Sequence, residues 1–114
     1  MENNDINSEY VNMKYALSRV GGNMSLYKRL LSRFVEGNYY DLLAGAIESG
    51  DVEEAMRQAH SLKGVSANLS LTGIWTISVE LEQLLKDKAD YALALGELEN
   101  AYAKTTEIIS EILD

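Results

Sequence analysis

Residues 51–69, DVEEAMRQAHSLKGVSANL, carry the pattern of one long amphipathic helix. Asp51 can cap its N-terminus, and Glu54 three residues later resembles a capping box. One face has a small or apolar side chain every three or four residues, namely Val52, Ala55, Ala59, Leu62, Ser66 and Leu69. The segment therefore predicts a helix that buries this stripe against other helices.

Helical patterns continue before this segment. The sequence predicts a short helix over residues 8–19 that ends at Gly21-Gly22, followed by a helix over residues 23–48 with Gly37 inside it. Asn23 can cap the second of these helices. Its inward positions are expected at Tyr27, Leu30, Leu31, Phe34, Leu42, Leu43 and Ile47.

Two further helices are predicted after it. A break at residues 70–72 leads to a helix that ends near residue 86, and a long final helix starts at Tyr91. The inward positions are Leu71, Ile74, Ile77, Leu81, Leu84, Leu85, Tyr91, Leu95, Leu98, Tyr102, Thr105, Ile108, Ile109 and Ile112. We therefore expect an all-α fold, an antiparallel up-down four-helix bundle over residues 23–114. The short N-terminal helix, within residues 1–22, would cover one end.

Composition limits the classes of protein that remain. A chain of 114 residues predicts a single domain, and the absence of cysteine excludes disulfides and thiolate chemistry. The sequence contains no stretch of about 20 apolar residues, so no membrane span is predicted. The polar, acidic N-terminus, MENNDINSEY, is unlike a signal peptide, so we expect a cytoplasmic protein.

The charge favours a protein partner. The formal net charge is −8, from 10 Lys and Arg against 18 Asp and Glu. Such a chain repels a phosphate backbone unless its bases form one tight patch, and most of them are dispersed. Nucleic-acid binding is therefore not expected.

His60 is the only histidine in the chain. On its helix it lies about 130° from the centre of the apolar stripe, which predicts an accessible side chain. Met56, Lys63, Gly64 and Ala67 share this flank, since residues three and four apart are neighbours on a helix. A single histidine at such a position is by itself an ordinary surface residue.

Gly64 is the unusual member of this group. Glycine inside a helix costs about 1 kcal/mol relative to alanine. Position 64 faces away from the apolar stripe, so close helix packing explains it poorly. We interpret Gly64 as clearance that lets a large group approach His60.

Glu82 is expected at the level of His60. Leu71, in the turn, lies midway in sequence between the two residues, and both helices rise equally per residue. A carboxylate there could accept a hydrogen bond from one ring nitrogen and leave the other free as a nucleophile. The spacing alone also allows Glu82 to be an ordinary surface charge.

The imidazole of His60 and the ammonium of Lys63 are suited to accept and stabilise a phosphoryl group. The reference pKa of an imidazole is about 6.5, so its neutral, nucleophilic form is abundant near pH 7. It can attack an acyl phosphate, and the Lys63 ammonium could offset the phosphoryl charge. There is no glycine-rich phosphate loop and no convincing acidic metal cluster, so transfer from ATP is not expected.

The segment AHSLKGVSANL, residues 59–69, followed by Val79-Glu80-Leu81-Glu82, resembles the histidine-containing phosphotransfer (HPt) domains of multistep two-component signalling. The resemblance implies that His60 is phosphorylated, that Lys63 supports the phosphoryl group and that Gly64 keeps the approach open. It implies reversible exchange with an aspartate of a response-regulator receiver domain, which brings its own Mg²⁺, and a sensor or hybrid histidine kinase upstream. No cofactor or metal is expected on this chain. Met56 and Ala67 are candidate docking residues.

Two positions depart from the family pattern. Ser70 stands where members commonly have glycine, and Glu82 stands where some have glutamine. A helical adaptor that binds a receiver or kinase without accepting phosphate is the alternative function. A dimerising kinase helix usually builds its bundle from two chains, whereas this chain is predicted to contain four long helices of its own, so we expect a monomer.

Overall fold

The computed structural model describes residues 8–114, which contain six α-helices and no strand. The helices are α1 (Met13–Arg19), α2 (Met24–Glu36), α3 (Tyr39–Glu48), α4 (Val52–Asn68), α5 (Thr72–Lys86) and α6 (Ala92–Leu113). The all-α prediction is confirmed. The prediction for residues 1–7, as part of the N-terminal segment, lies outside the described residues.

The predicted caps at Asn23 and Asp51 are confirmed. The side chain of Asn23 accepts a hydrogen bond from the backbone N–H of Leu26, and Asp51 accepts one from that of Glu54. The capping box is only half formed, because the Glu54 carboxylate is bonded to Arg57 and Gln58 instead. Each cap satisfies a backbone donor that the first turn of a helix leaves unpaired.

The helix predicted over residues 23–48 is two helices. The chain turns at Asn38, which has the left-handed φ of +51°, between the end of α2 and the start of α3. Gly37 leaves room for the ring of Tyr39, since a Cβ there would lie 2.5 Å from it. That ring stacks on Phe34 with centroids 5.3 Å apart. The helix break therefore places an aromatic side chain over the end of α2.

The first helix is shorter than predicted and begins at Met13 rather than Ser8. The Ser8 hydroxyl accepts hydrogen bonds from the backbone N–H groups of Tyr10 and Val11, which holds these residues in a turn. The side chain of Asn12 then caps α1 by accepting from Tyr15. Serine and asparagine compete for helical hydrogen bonds in this way, and the helix starts after them.

The core lies among all six helices, and α1 contributes the buried Met13 and Ala16 to it. α4 packs against α3 and α5, α5 packs against α6, and α6 packs against α2. Small side chains let α4 and α5 approach closely, because the buried residues Ala55, Ala59 and Ser66 on α4 face a helix with the buried Ser78. Among the described residues, no helix has both the length and the apolar content needed to cross a membrane.

Most predicted core positions are buried, with two clear exceptions. Val52 is 48% exposed and Leu42 is 52% exposed, so both predictions were wrong. Val52 is the first residue of α4 and lines a surface hollow with Leu85 of α5 and Tyr91, so its side chain is covered on one side only. Leu42 lies beside the buried Leu43, and the break at Asn38 rotates α3 so that only Leu43 of the pair faces inward.

The turn between α4 and α5 is supported by the N-terminal segment. The backbone N–H of Asn12 donates to the carbonyl of Ser70, and the N–H of Gly73 donates to that of Tyr10. Ser70 has a left-handed φ of +57°, a conformation that favours glycine. The turn reverses the chain, so α5 runs back along α4.

Candidate functional site

The structure brings His60 of α4 and Glu82 of α5 together. Glu82 Oε2 lies 2.9 Å from His60 Nδ1, across 22 residues of sequence. The helix register that predicted Glu82 at the level of His60 agrees with this contact. Equal rise on both sides of a short turn is its cause.

Lys63 joins the same carboxylate. Its Nζ lies 2.6 Å from Glu82 Oε1, so the two carboxylate oxygens have different partners. Lys63 follows His60 by three residues on α4, which puts both side chains on the side that faces α5. His60, Lys63 and Glu82 form one cluster, which we call the histidine cluster.

Glu82 is the least exposed member of the histidine cluster. Its side chain is 17% exposed, against 33% for Lys63 and 70% for His60. Partial burial raises the pKa of Glu82, but the hydrogen bonds from Lys63 and His60 outweigh it, and the pKa lies below its ordinary value of 4.5. The carboxylate is therefore ionised at neutral pH.

The charge of Glu82 determines the histidine tautomer. An ionised carboxylate has no proton to donate, so the contact requires the proton on His60 Nδ1. We assign the neutral ring the Nδ1–H form, which leaves a lone pair on Nε2. No described residue forms a hydrogen bond to Nε2. The arrangement therefore presents an oriented, accessible nitrogen nucleophile.

A shallow, open depression lies beside His60. Its lining consists of Glu53, Met56, Arg57, His60, Ser61, Glu82 and Lys86. Met56, predicted to share the flank of His60, is half-buried in this lining. Ala67, predicted on the same flank, is exposed but lies outside the depression, and its carbonyl accepts a hydrogen bond from Arg19 Nη1 at 3.0 Å.

Gly64 is exposed on the flank of His60. A Cβ built at this position would have no heavy atom within 4 Å, so nothing inside the protein requires glycine there. Gly45 and Gly96, also within helices, have the same open surroundings. Open space alone is thus not distinctive. What separates Gly64 from them is its position one helical turn after the exposed imidazole.

Sequence reasoning missed two parts of the site. It assigned Lys63 as a partner of the phosphoryl group and Glu82 as a partner of the imidazole. It did not predict that these two residues pair with each other. It also missed Lys86, which is one turn after Glu82 on α5 and lines the depression. The helix register was a usable signal for Lys86, because Leu71 lies midway in sequence between Met56 and Lys86.

Residues 8–114 contain no set of side chains suited to bind a metal ion. No group of three or more His, Cys, Asp or Glu side chains is arranged there to hold an ion. The Glu82 oxygens are already bonded to Lys63 and His60.

A family model described as "Hpt domain" matches residues 30–112. The match includes most of α2 and all of α3 to α5, together with nearly all of α6 and the whole histidine cluster. No curated protein and no solved structure has a significant match to the chain.

Proposed function

The chain belongs to the Hpt domain family, whose members carry phosphoryl groups in two-component signalling, and on this premise we propose that His60 is its phosphorylated residue. The proposed reaction is reversible transfer between His60 and the aspartate of a response-regulator receiver domain. The observation that carries the proposal is the exposed Nε2 of an imidazole whose Nδ1 is held by Glu82.

The transfer step follows from this geometry. The Nε2 lone pair attacks the phosphorus of the receiver's aspartyl phosphate and forms a P–N bond. The P–O bond breaks, and its electron pair stays on the departing aspartate carboxylate. The ring becomes positively charged while Nδ1 keeps its proton. Glu82 then accepts a hydrogen bond from a cationic ring, which is stronger than one from a neutral ring.

Glu82 also supports the reverse step. With a proton on Nδ1, the group that leaves phosphorus is a neutral imidazole rather than an imidazolate anion. A carboxylate that keeps this proton in place therefore helps the phosphoryl group to pass on. Glu82 is a positioning residue in this proposal, since it touches the ring and not the phosphoryl group.

Lys63 is the proposed phosphoryl-stabilising residue. Its ammonium lies in the histidine cluster and is one-third exposed, so a rotation of its flexible stem can bring it to the phosphoryl oxygens. Positioning and charge supply most of the catalysis in phosphoryl transfer. We propose that, when His60 is phosphorylated, the Lys63 ammonium leaves the Glu82 carboxylate and pairs with the phosphoryl group.

A partner must approach His60 closely for this reaction. Gly64 provides the clearance, and Met56 and Ala67 belong to the proposed docking surface on the same flank. We expect Mg²⁺ to come with the receiver domain and no cofactor on this chain. Hpt domains are carriers rather than autonomous kinases, and we accordingly propose no ATP-dependent activity here.

The proposal includes the architecture around the site. The helix contacts α2–α6, α6–α5 and α5–α4 support an antiparallel four-helix bundle, with α1 beside it and α3 continuing the α2 side of the bundle. A monomeric state and a cytoplasmic location remain predictions, and sizing with light scattering tests the first of them.

The direct test is labelling by a phosphorylated receiver domain. We expect the radiolabel on His60, acid-labile and comparatively stable to base because a P–N bond holds it. The Ser61→Ala variant is the matched control, since Ser61 is the adjacent exposed hydroxyl and should be dispensable. A label that survives in His60→Ala contradicts the proposal. If His60→Ala still supports signalling, the chain is a non-phosphorylated adaptor.

A further inference from the structure

The basic residues of this acidic chain are concentrated in one segment. Residues 10–35 contain five of the ten Lys and Arg side chains and none of the 18 Asp and Glu. They form α1, most of α2 and the residues just before and between them. The rest of the chain holds five basic side chains against all 18 acidic ones. α1 and α2 therefore present a positive region on a negative protein.

A hollow lies beside this region, between α1–α2 and the C-terminal half of α4. Its floor is apolar, with Leu30 and Phe34 of α2 and Val65 of α4, and Arg19 and Arg33 are on its rim. We call it the basic hollow. α2 packs mainly on α6. Its Tyr27 hydroxyl donates a hydrogen bond to the carbonyl of Leu69, just after the end of α4. The hollow lies beside this contact, since Leu69 also lines it.

Arg19 and Arg33 of the basic hollow have no carboxylate partner among the described residues, and neither has Arg29, which lies outside the lining, one helical turn before Arg33 on α2. Arg29 and Arg33 are exposed, one helical turn apart, and like charges at this spacing are mildly unfavourable. Glu36, the acidic residue nearest in sequence, forms no ion pair with Arg33 within residues 8–114. Helix C-termini explain a basic residue in each last turn, but they do not explain Arg29 or the exclusion of acidic residues.

The basic hollow is close enough to His60 to meet the same partner. Arg19 donates a hydrogen bond to the carbonyl of Ala67, which lies about 10 Å beyond His60 along α4. A typical interface covers about 800 Å² on each partner, a patch roughly 30 Å across. A protein that docks over His60 with a patch of this size can therefore also reach Arg19, which lines the basic hollow.

We propose that the basic hollow selects the phosphotransfer partner by binding an acidic segment of the receiver domain that carries an apolar side chain. The apolar side chain fills the floor, and the carboxylates pair with Arg19, Arg29 and Arg33. This inference rests on the proposed function. An extended polyanion such as a membrane surface fits less well, because the acidic remainder of the chain repels it.

The test measures binding of the purified receiver domains of the source organism to the unphosphorylated chain. The Arg29→Glu/Arg33→Glu variant should bind the partner about tenfold more weakly, with a smaller salt dependence, because rim charges act through steering and complementarity. Arg29→Lys/Arg33→Lys keeps the charge and should stay within about twofold. Lys104→Glu, an exposed charge reversal on α6 away from the hollow, should do the same. Thermal melts check that each variant is folded.

The outcomes separate this inference from the proposed function. If a receiver labels His60 and binds Arg29→Glu/Arg33→Glu as tightly as the unaltered chain, the hollow inference is wrong and phosphotransfer stands. If a receiver binds in an arginine-dependent way but never labels His60, the hollow is a receiver-binding surface and phosphotransfer fails. The hollow inference is wrong if Arg29→Glu/Arg33→Glu and Lys104→Glu lose the same amount of receiver affinity, or if no receiver binds at all. Arginine-dependent binding to phosphatidylglycerol vesicles without receiver binding also overturns it.

Discussion

Lys63 Nζ lies 2.6 Å from Glu82 Oε1, so the ammonium that we assign to the phosphoryl group is held by a carboxylate before any phosphoryl group arrives. The same carboxylate holds His60 Nδ1 through its other oxygen at 2.9 Å. In the proposed mechanism, Glu82 therefore orients the nucleophile and competes with the phosphoryl group for the Lys63 ammonium. We expect the balance between these two effects to determine how long phosphohistidine survives.

Replacing Glu82 with glutamine tests this competition. The glutamine side-chain oxygen can still accept from Nδ1, but the negative charge near the phosphoryl group is lost and Lys63 is released. We expect phosphohistidine in Glu82→Gln to survive several-fold longer and transfer to the receiver to slow by a similar factor, on the order of 1 kcal/mol of charge interaction. Decay of the isolated phosphoprotein measures the first effect. Glu80→Gln, on the exposed side of α5, is the matched control. A shorter lifetime in Glu82→Gln contradicts the competition.

The same substitution has a pH signature in stability. The pKa of Glu82 is below 4.5 in the folded protein, so the folded state binds this proton less readily than the unfolded chain does. The stabilisation is complete above the ordinary pKa and is lost as the pH falls through the lower folded pKa. The difference in unfolding free energy between the unaltered chain and Glu82→Gln should therefore be largest above pH 4.5 and shrink below it. Denaturant titrations across this range measure it. A difference that grows on acidification refutes the role of the carboxylate.

Lys63→Ala removes the cation from the cluster. We expect slower transfer or a shorter phosphohistidine lifetime, by about tenfold, because charge stabilisation is the main lever in phosphoryl transfer. Unfolding free energy should fall by about 1 kcal/mol or less, since the side chain is one-third exposed and its ion pair with Glu82 is partly solvated. Lys104→Ala controls for a lost surface charge. Unchanged kinetics in both directions would remove Lys63 from the mechanism.

The helix α4 and the contact between His60 and Glu82 were predictable because they depend on local rules. Asp51 starts the helix through a side-chain cap, and equal rise on both sides of the turn brings residue 82 back to residue 60. Neither inference requires knowledge of distant packing. The Lys63–Glu82 pair was missed because the choice between two partners for a long, flexible side chain depends on the exact distance between helices.

The break between α2 and α3 could not be read from periodicity. Apolar residues keep their helical spacing across Gly37 and Asn38, so the pattern predicts one helix. The break is stabilised by tertiary contacts, since the Tyr39 ring stacks on Phe34 and Phe34 in turn packs against Tyr102 of α6. The rings that define this corner come from three helices, which a local pattern does not bring together.

Ser70 is a position where stability can be gained. It has a φ of +57°, and its buried hydroxyl has no hydrogen-bond partner among the described residues. Glycine removes both the backbone strain and the unpaired hydroxyl, so Ser70→Gly should raise the free energy of unfolding by about 1 kcal/mol. Lys88→Gly is the matched control, because Lys88 has a similar φ of +56° but an exposed side chain, and it should gain less. Thermal and denaturant melts decide. A loss of stability in Ser70→Gly would show that the hydroxyl is needed.

Gly64 allows stability and function to be separated. A Cβ at position 64 meets no atom of the protein, so Gly64→Ala should fold and gain about 1 kcal/mol from helix propensity. Gly96→Ala should gain a similar amount, because its surroundings are equally open and it lies on α6. The two variants should differ in function, since only position 64 adjoins His60.

The decisive comparison is therefore between Gly64→Gln and Gly96→Gln, which add the same side chain to two exposed helical positions. Both should remain folded. Gly64→Gln should slow transfer from the receiver more than Gly64→Ala does, because the longer side chain stands between the partner and Nε2, while Gly96→Gln should transfer at the normal rate. Melts and transfer rates on the same samples distinguish obstruction from unfolding. A folded Gly64→Gln protein with normal transfer would refute the clearance role of Gly64, even with His60 established as the phosphorylated residue.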